Sequence, residues 1–151
     1  MTIEAKLKDL GYDLPKPAAP VAAYVPVTRS GNLLFVSGQL STGPDGLVKG
    51  HLGKDVDVAA GQKAAELCAV NILGQIAAVA PLENITAILK LTVLVASAPD
   101  FSEQHLVGNG ASELFIKVLG DRAKHARAAF GVAALPLGAA VEIDAVVEIR
   151  D

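Results

Sequence analysis

At 151 residues and 15.5 kDa, the chain has the length of one domain, and we treat residues 1–151 as a single unit. Hydrophobic residues make up 52% of the chain and charged residues only 19%, with a mean hydropathy of +0.44. This composition excludes a disordered chain, which would be polar and highly charged. No uninterrupted apolar run approaches the roughly 20 residues of a membrane-spanning helix. The remaining excess of apolar surface predicts self-association.

The charge and the single cysteine restrict the partners. A net charge of -3 and a pI of about 5.6 argue against binding of nucleic acid, because proteins that bind nucleic acids usually carry a basic stripe. One cysteine, Cys68, allows no internal disulfide and gives no support to a metal site. No glycine-rich dinucleotide fingerprint or phosphate-loop lysine pattern is present, so no cofactor is expected. The N-terminus lacks a secretory pattern, which makes the cytoplasm the expected location and a membrane partner unexpected.

The first half of the chain predicts a short helix, an extended connector, a hairpin and a long helix. Thr2 can cap the first helix and Gly11 can end it. Three prolines keep the connector extended, and a glycine-containing turn joins the two hairpin strands. Apolar residues at 3.6-residue spacing mark the long helix. The predicted ranges are residues 2–10, 14–20, 25–29 with 33–37, and 55 or 57 to 79.

The second half predicts a strand over residues 85–97, a helix from 101 or 102 to about 119, and strands over 128–135 and 140–149. We expect the last two strands to form a hairpin about the turn at 135–138. The order of elements indicates an α+β fold with one sheet and two long helices on one face. The other face of such a sheet stays apolar and uncovered. It therefore predicts a ring of three or more copies, with clefts at the junctions.

Arg127 enters the first of the last two strands, which is otherwise built of small and apolar residues, and Glu142 interrupts an apolar run on the second. Arg127 precedes the turn and Glu142 follows it. An arginine fork suits a carboxylate, which accepts two parallel hydrogen bonds, and a nearby glutamate can orient water or transfer protons. The residues alone leave a second interpretation open, an exposed cross-strand ion pair worth a few tenths of a kcal/mol.

The other reactive side chains suggest no chemistry. The histidines at 51, 105 and 125 are far apart in sequence, which favours solvated or capping roles. Cys68 falls at a core-facing position of the long helix, which favours packing. Ser37 lacks the G-x-S-x-G frame of a hydrolase nucleophile.

Two motifs nevertheless resemble those of the Rid/YjgF family, the reactive-intermediate (enamine/imine) deaminases. The first is Arg127 followed by V-A-A-L-P at 132–136 and V-E-I-D-A at 141–145. The second is Tyr24 placed seven residues before G-N-L-L-F-V-S-G-Q at 31–39. The residues at 100–101 and 109–115 are similar to the family's second helix. The likeness extends over about residues 18–149.

The resemblance implies a chorismate-mutase-like fold and a homotrimer with sites in the clefts between subunits. It also implies cofactor-free hydrolysis of 2-aminoacrylate or related 2-imino acids to 2-keto acids and ammonium. By position, Arg127 would hold the substrate carboxylate and Glu142 would orient the attacking water. The pocket would be lined by Tyr24, Ser37, Gly38, Ala129 and, in a looser alignment, Asn109.

The chain also departs from that family. Ala129 stands where the archetypal branch has a cysteine, and the chain is longer, by the N-terminal helix and by about one turn before Asn109. These differences suggest a side branch. They leave open a protein that binds small carboxylate metabolites in the same pocket without turnover. An RNA-directed activity, credited to some relatives, is disfavoured by the acidic pI.

Overall fold

The computed structural model describes residues 1–17 and 23–151. The final part of the predicted connector, residues 18–20, lies outside the described residues, as does the beginning of the family likeness. The helices are α1 (Ile3–Asp9), α2 (Val58–Ala77) and α3 (Gln104–Leu119). The strands are β1 (Val27–Ser30), β2 (Leu33–Leu40), β3 (Thr42–Gly43), β4 (Gly46–Leu47), β5 (Ile85–Ala96), β6 (Ala126–Val132) and β7 (Val141–Ile149).

Local signals set the helix ends. The Thr2 side chain accepts a hydrogen bond from the Ala5 N–H at the start of α1, and the Asp57 side chain caps α2 in the same way. Gly120, with φ of 66°, ends α3 as predicted. The start of α3 was predicted two or three residues too early, because the chain first makes a turn in which the Phe101 N–H bonds the Ala98 carbonyl.

The main sheet has five strands in the order β1-β2-β7-β5-β6. β5 and β6 are parallel and the other neighbours are antiparallel, so the sheet is mixed. The predicted first hairpin is confirmed, with Ser30 opposite Leu33. β2 continues to Leu40, three residues beyond its predicted end. The shorter β3 and β4 pair with each other outside this sheet.

The predicted hairpin between the last two strands is wrong. β5 lies between β6 and β7 and pairs with both. β6 spans Ala126–Val132, so it begins two residues and ends three residues before the predicted strand does. The connection after β6 is held away from a hairpin by its own backbone bonds: Gly138 accepts from Gly50, and Ala140 donates to Val48 and accepts from Ala96. With these hydrogen bonds, the segment between β6 and β7 passes across the end of β5.

The sheet is covered on one face, as predicted. α2 packs on β2 and β7, and α3 packs on β5 and β6. The core between these layers also buries Ile3 and Leu7 of α1. Apolar side chains that alternate with this core project from the opposite face, and they include the exposed Phe35 and Phe130. No helix in the described part of the chain packs against this opposite face.

No helix among the described residues is long and apolar enough to cross a membrane.

Candidate functional site

Arg127 lies on β6, at the edge of the sheet, and its side chain extends along the face that carries α3. One nitrogen of the guanidinium, Nη1, donates to Asn109 Oδ1 and to Ser112 Oγ, each at 3.0 Å. The other, Nη2, donates to the main-chain carbonyl of His105 at 3.0 Å. An arginine has five N–H groups, so within the described chain the Nε–H and one N–H of Nη2 remain without an acceptor. These are the donors available to a ligand.

Helix α3 provides the bed for this arginine. Residues 105, 109 and 112 follow one another at the i, i+4 and i+7 spacing that places them on one helix face. Gly108 lies on the same side, and a Cβ built there would be 3.2 Å from both Cζ and Nη1 of Arg127. The missing side chain at Gly108 therefore lets the guanidinium lie close to the helix.

The structure brings Asn109 to Arg127, and Ala129 follows on the same face of β6. Ala129 is half-buried against the core. Its methyl group offers no nucleophile or acid.

Glu142 lies on β7, between the fully buried Val141 and Ile143. Strand alternation therefore points its side chain to the uncovered face of the sheet. Partial burial raises the pKa of Glu142, and the charge of Asp144 raises it further. The carboxyl group is thus more basic than an ordinary exposed glutamate, which suits it to proton transfer.

Gly38 makes room for Glu142. Pairing between β2 and β7 shifts register here, so Ser37 and Gly38 together stand opposite Asp144, an arrangement typical of a β-bulge. A Cβ at Gly38 would overlap the Glu142 carboxylate. The bulge and the glycine together let the glutamate lie directly against β2.

Ser37 and Tyr24 lie on the same side of the molecule. Ser37 and Gly38 line a groove of about 350 Å³ that also includes Phe35 and Asp144. Tyr24 is 62% exposed and lies beside an adjoining shallow depression, next to Val25 and Thr28. The groove and the depression share Val25 and Thr28.

The predicted residues thus form two groups within one chain. Arg127, Ala129 and Asn109 lie on the helix side, whereas Glu142, Gly38 and Ser37 lie on the uncovered side. Two strand spacings, about 10 Å, also separate β7 from β6. The interpretation of Arg127 and Glu142 as a cross-strand ion pair is therefore wrong, because β5 lies between their strands and the two side chains point to opposite faces of the sheet.

Sequence reasoning missed two residues near Arg127. Ser112 contacts the guanidinium directly, and His125 contacts Ser112 through Nε2 at 2.8 Å. Of the two roles predicted for His125, the solvated one is wrong, because its partly buried ring is held at both nitrogens by Ser112 and the Ala123 carbonyl. The bond to Ala123, the last residue of a 3-10 turn, is a capping contact. The helical spacing from Asn109 to Ser112 was the signal that could have placed the serine in the site.

Cys68 belongs to neither group. It is fully buried on α2 with its thiol directed at the Val141 carbonyl, 3.5 Å away. Burial raises the pKa of the thiol well above its usual value. The predicted packing role is confirmed.

The sheet order, the two helices on one face and the short N-terminal helix define a chorismate-mutase-like α+β protein. A family model described as endoribonuclease L-PSP matches residues 15–149. The chain belongs to this family, which is the Rid/YjgF family.

Individual relatives agree with this assignment. The chain is 45% identical to the protein TCP17 of Trypanosoma cruzi over 152 aligned positions, which cover 99% of this chain and 95% of that one. The crystal structure of Atu1372, a protein of unknown function from Agrobacterium tumefaciens, is 55% identical, with a TM-score of 0.91 and coverage of 99% and 94%. RidA from the Antarctic bacterium Psychrobacter sp. PAMC 21119 is 30% identical, with a TM-score of 0.57 and coverage of 89% and 94%.

Proposed function

We propose that this protein hydrolyses small 2-imino acids, such as the imine form of 2-aminoacrylate, to 2-keto acids and ammonium. The observation that carries the proposal is the guanidinium of Arg127. Three protein acceptors hold it against α3, and two of its N–H groups are left for a ligand. A carboxylate has two oxygens that can accept from such a fork. An imine next to that carboxylate would then have a fixed position.

Glu142 would act on water. Its raised pKa favours accepting a proton as the water oxygen bonds to the imine carbon and the C=N electron pair moves to nitrogen. Return of that proton to nitrogen would give the carbinolamine. Transfer of its hydroxyl proton to nitrogen would then allow the C–N bond to break, with ammonia leaving as the C=O bond forms and taking a proton from solvent to become ammonium. The residues beside Glu142, namely Ser37, Gly38 and Tyr24, would line the pocket. Because imines also hydrolyse unaided, orientation of the acid and one water is the main demand on the protein.

We infer that the complete site forms between copies of the chain, in a homotrimer. Within one chain, Arg127 and Glu142 are separated by two strand spacings and by the thickness of the sheet. Arg127 is on the edge strand β6, and the uncovered face presents Phe35 and Phe130, which are 44% and 46% exposed. A ring would apply the β6 edge of one copy to the uncovered face of the next, burying this apolar surface and joining the two groups.

The direct test measures keto-acid formation from 2-aminoacrylate generated in situ. Wild-type protein should accelerate it, and Arg127→Ala should lose the acceleration. Two charge-assisted hydrogen bonds at about 1.5–3 kcal/mol each correspond to a fall of roughly two to four orders of magnitude. The matched control is Arg29→Ala. Arg29 is an exposed arginine on the other edge strand, β1, and it forms an ion pair with Asp151. An undiminished rate in Arg127→Ala would refute the assignment.

A mixing experiment tests the shared site. Arg127→Ala and Glu142→Ala chains should each be inactive, and reassembly of the two together should restore sites that take Arg127 and Glu142 from different chains. In a cyclic trimer with random mixing, about a quarter of the sites would be complete. If verified mixed assemblies remain as inactive as either variant, the site does not form between chains.

A second candidate function, binding of carboxylate metabolites without turnover, is favoured by Ala129, which stands at the position of a cysteine in the archetypal branch. In that case 2-keto acids would raise the melting temperature while the imine assay gave only the uncatalysed rate. Arg127→Ala would remove the thermal shift.

A further inference from the structure

The hydrogen bonds around His125 have a fixed direction. Its Nδ1 faces the main-chain carbonyl of Ala123, which can only accept, so Nδ1 carries the proton. Burial lowers the pKa of His125 in spite of the bond to Ala123, and the Arg127 charge lowers it further. In the neutral ring Nε2 must then be an acceptor. The hydroxyl of Ser112, 2.8 Å away, is therefore the donor to Nε2.

This direction determines what Ser112 offers to Arg127. With its hydrogen committed to His125, the Ser112 oxygen presents only lone pairs to Nη1, 3.0 Å away. A serine within a helix otherwise tends to bond the carbonyl one turn earlier, which here belongs to Gly108. His125 holds the hydroxyl away from that alternative and keeps it as an acceptor.

The acceptor matters because it completes the restraint on the guanidinium. Nη1 has two hydrogens and two acceptors, Asn109 and Ser112, while Nη2 has one hydrogen on His105 O. Without the Ser112 acceptor, Nη1 is held at a single point. The guanidinium could then rotate and turn its free N–H groups away from the outer side of β6.

We propose that His125, acting through Ser112, is a positioning residue that orients the Arg127 fork for a carboxylate ligand. The proposal rests on the proposed function only in taking a carboxylate as the ligand of Arg127. His125 itself contacts no substrate. Its effect on binding passes through one serine hydroxyl.

The ligand-free arm uses nitrogen-resolved NMR on the full chain. At pH 7 His125 should carry its proton on Nδ1, and Arg127 should show separate Nη signals because its nitrogens are restrained. Ser112→Ala should merge the Arg127 signals, whereas the control Ser102→Ala, an exposed serine, should not. A proton on Nε2, or Arg127 signals that are the same in Ser112→Ala and wild type, would overturn the proposal.

A second pair of variants covers the histidine. His125→Phe keeps a ring but removes the acceptor, and it should merge the signals as Ser112→Ala does. His125→Gln restores a side-chain oxygen near the position of Nε2, and it should recover the separate signals. If His125→Phe fails to fold, the comparison of His125→Gln with Ser112→Ala decides, since only the latter lacks the interaction. Merged signals in His125→Gln would count against the proposal.

The ligand arm compares 2-oxobutyrate with its uncharged amide by calorimetry. Ser112→Ala should weaken 2-oxobutyrate binding about tenfold, as expected for one lost hydrogen bond to a charged group, and leave amide binding unchanged. Equal weakening of both ligands would indicate a merely structural role and overturn the proposal. If wild type binds neither ligand, the proposed function fails and the NMR result alone decides the role of His125.

Discussion

Replacing Gly38 with alanine would test the arrangement of the Glu142 side chain. A Cβ at position 38 would overlap the Glu142 carboxylate and lie 2.8 Å from its Cδ. Because Oε2 would lie closer still, the carboxyl group would need to move by more than about 1 Å to reach an ordinary contact of about 3.5 Å. Gly38 does not have a left-handed φ, so its backbone conformation would tolerate alanine.

Two opposing contributions set the expected magnitude. Overpacking costs about 1–3 kcal/mol, and because Glu142 is only partly buried and can swing, we expect the lower end. Replacing a strand glycine by alanine recovers about 0.5–1 kcal/mol of backbone entropy. Gly38→Ala should therefore be close to neutral in the wild type. In a Glu142→Ala background, where nothing is displaced, it should stabilise by about 0.5–1 kcal/mol.

The measurement is the free energy of unfolding in urea for the four proteins of this cycle, at one fixed protein concentration. The coupling between the two positions should be about 1 kcal/mol. An Asp144→Ala background serves as a control, since it removes a neighbouring carboxylate and leaves the overlap in place. Equal effects of Gly38→Ala with and without Glu142, within about 0.3 kcal/mol, would refute this account.

Three further predictions concern the two groups and the core. Gly108→Ala should raise helix stability by up to about 1 kcal/mol, yet it should weaken carboxylate binding several-fold because its Cβ would press on Arg127. Thermal melts measure the stability and calorimetry measures the affinity. An unchanged affinity would contradict the contact. Because the pKa of Glu142 is raised in the folded state, the folded protein binds this proton more tightly than the unfolded chain does. Its stability should therefore fall as the pH rises from the usual glutamate pKa of 4.5 through the folded pKa. Glu142→Gln should lack this part of the pH dependence, and a profile identical to that of the wild type would argue against the shift. Cys68 should resist alkylating reagents until the protein unfolds, so its modification rate should follow global unfolding; rapid labelling of native protein would show the packing to be wrong.

The local structure followed from local signals. Thr2, Asp57 and Gly120 act within one helical turn of their own positions, so the ends they set could be read from the chain. The order of strands could not. An apolar strand such as β6 has the same pattern beside β7 as beside β5, and most consecutive strands are neighbours. The distinction lies in bonds to Val48 and Gly50, far away in sequence.

The candidate site shows the same limit. The identities of Arg127 and Glu142 could be predicted from the chain, and the face of each could not, because it depends on the register of β5 with both neighbours. Ser112 lies within the 109–115 stretch that resembles the family's second helix, yet neither it nor His125 was predicted as a site residue, because their contact joins α3 to the segment before β6. The direction of the hydrogen bond between Ser112 and His125 follows only from the structure, because it depends on the Ala123 carbonyl facing Nδ1.

The position of β7 has a consequence for the order in which the protein can assemble. β7 comes last among the described strands in chain order, and it is the central strand of the main sheet, pairing with β2 on one side and β5 on the other. Before Val141–Ile149 has been synthesised, the other four strands of the main sheet can form only the pairs β1–β2 and β5–β6, with no ladder joining them. Contacts so distant in sequence close slowly and late. Glu142 arrives with this closing strand, so a partly synthesised chain completes neither its sheet nor its complement of candidate site residues.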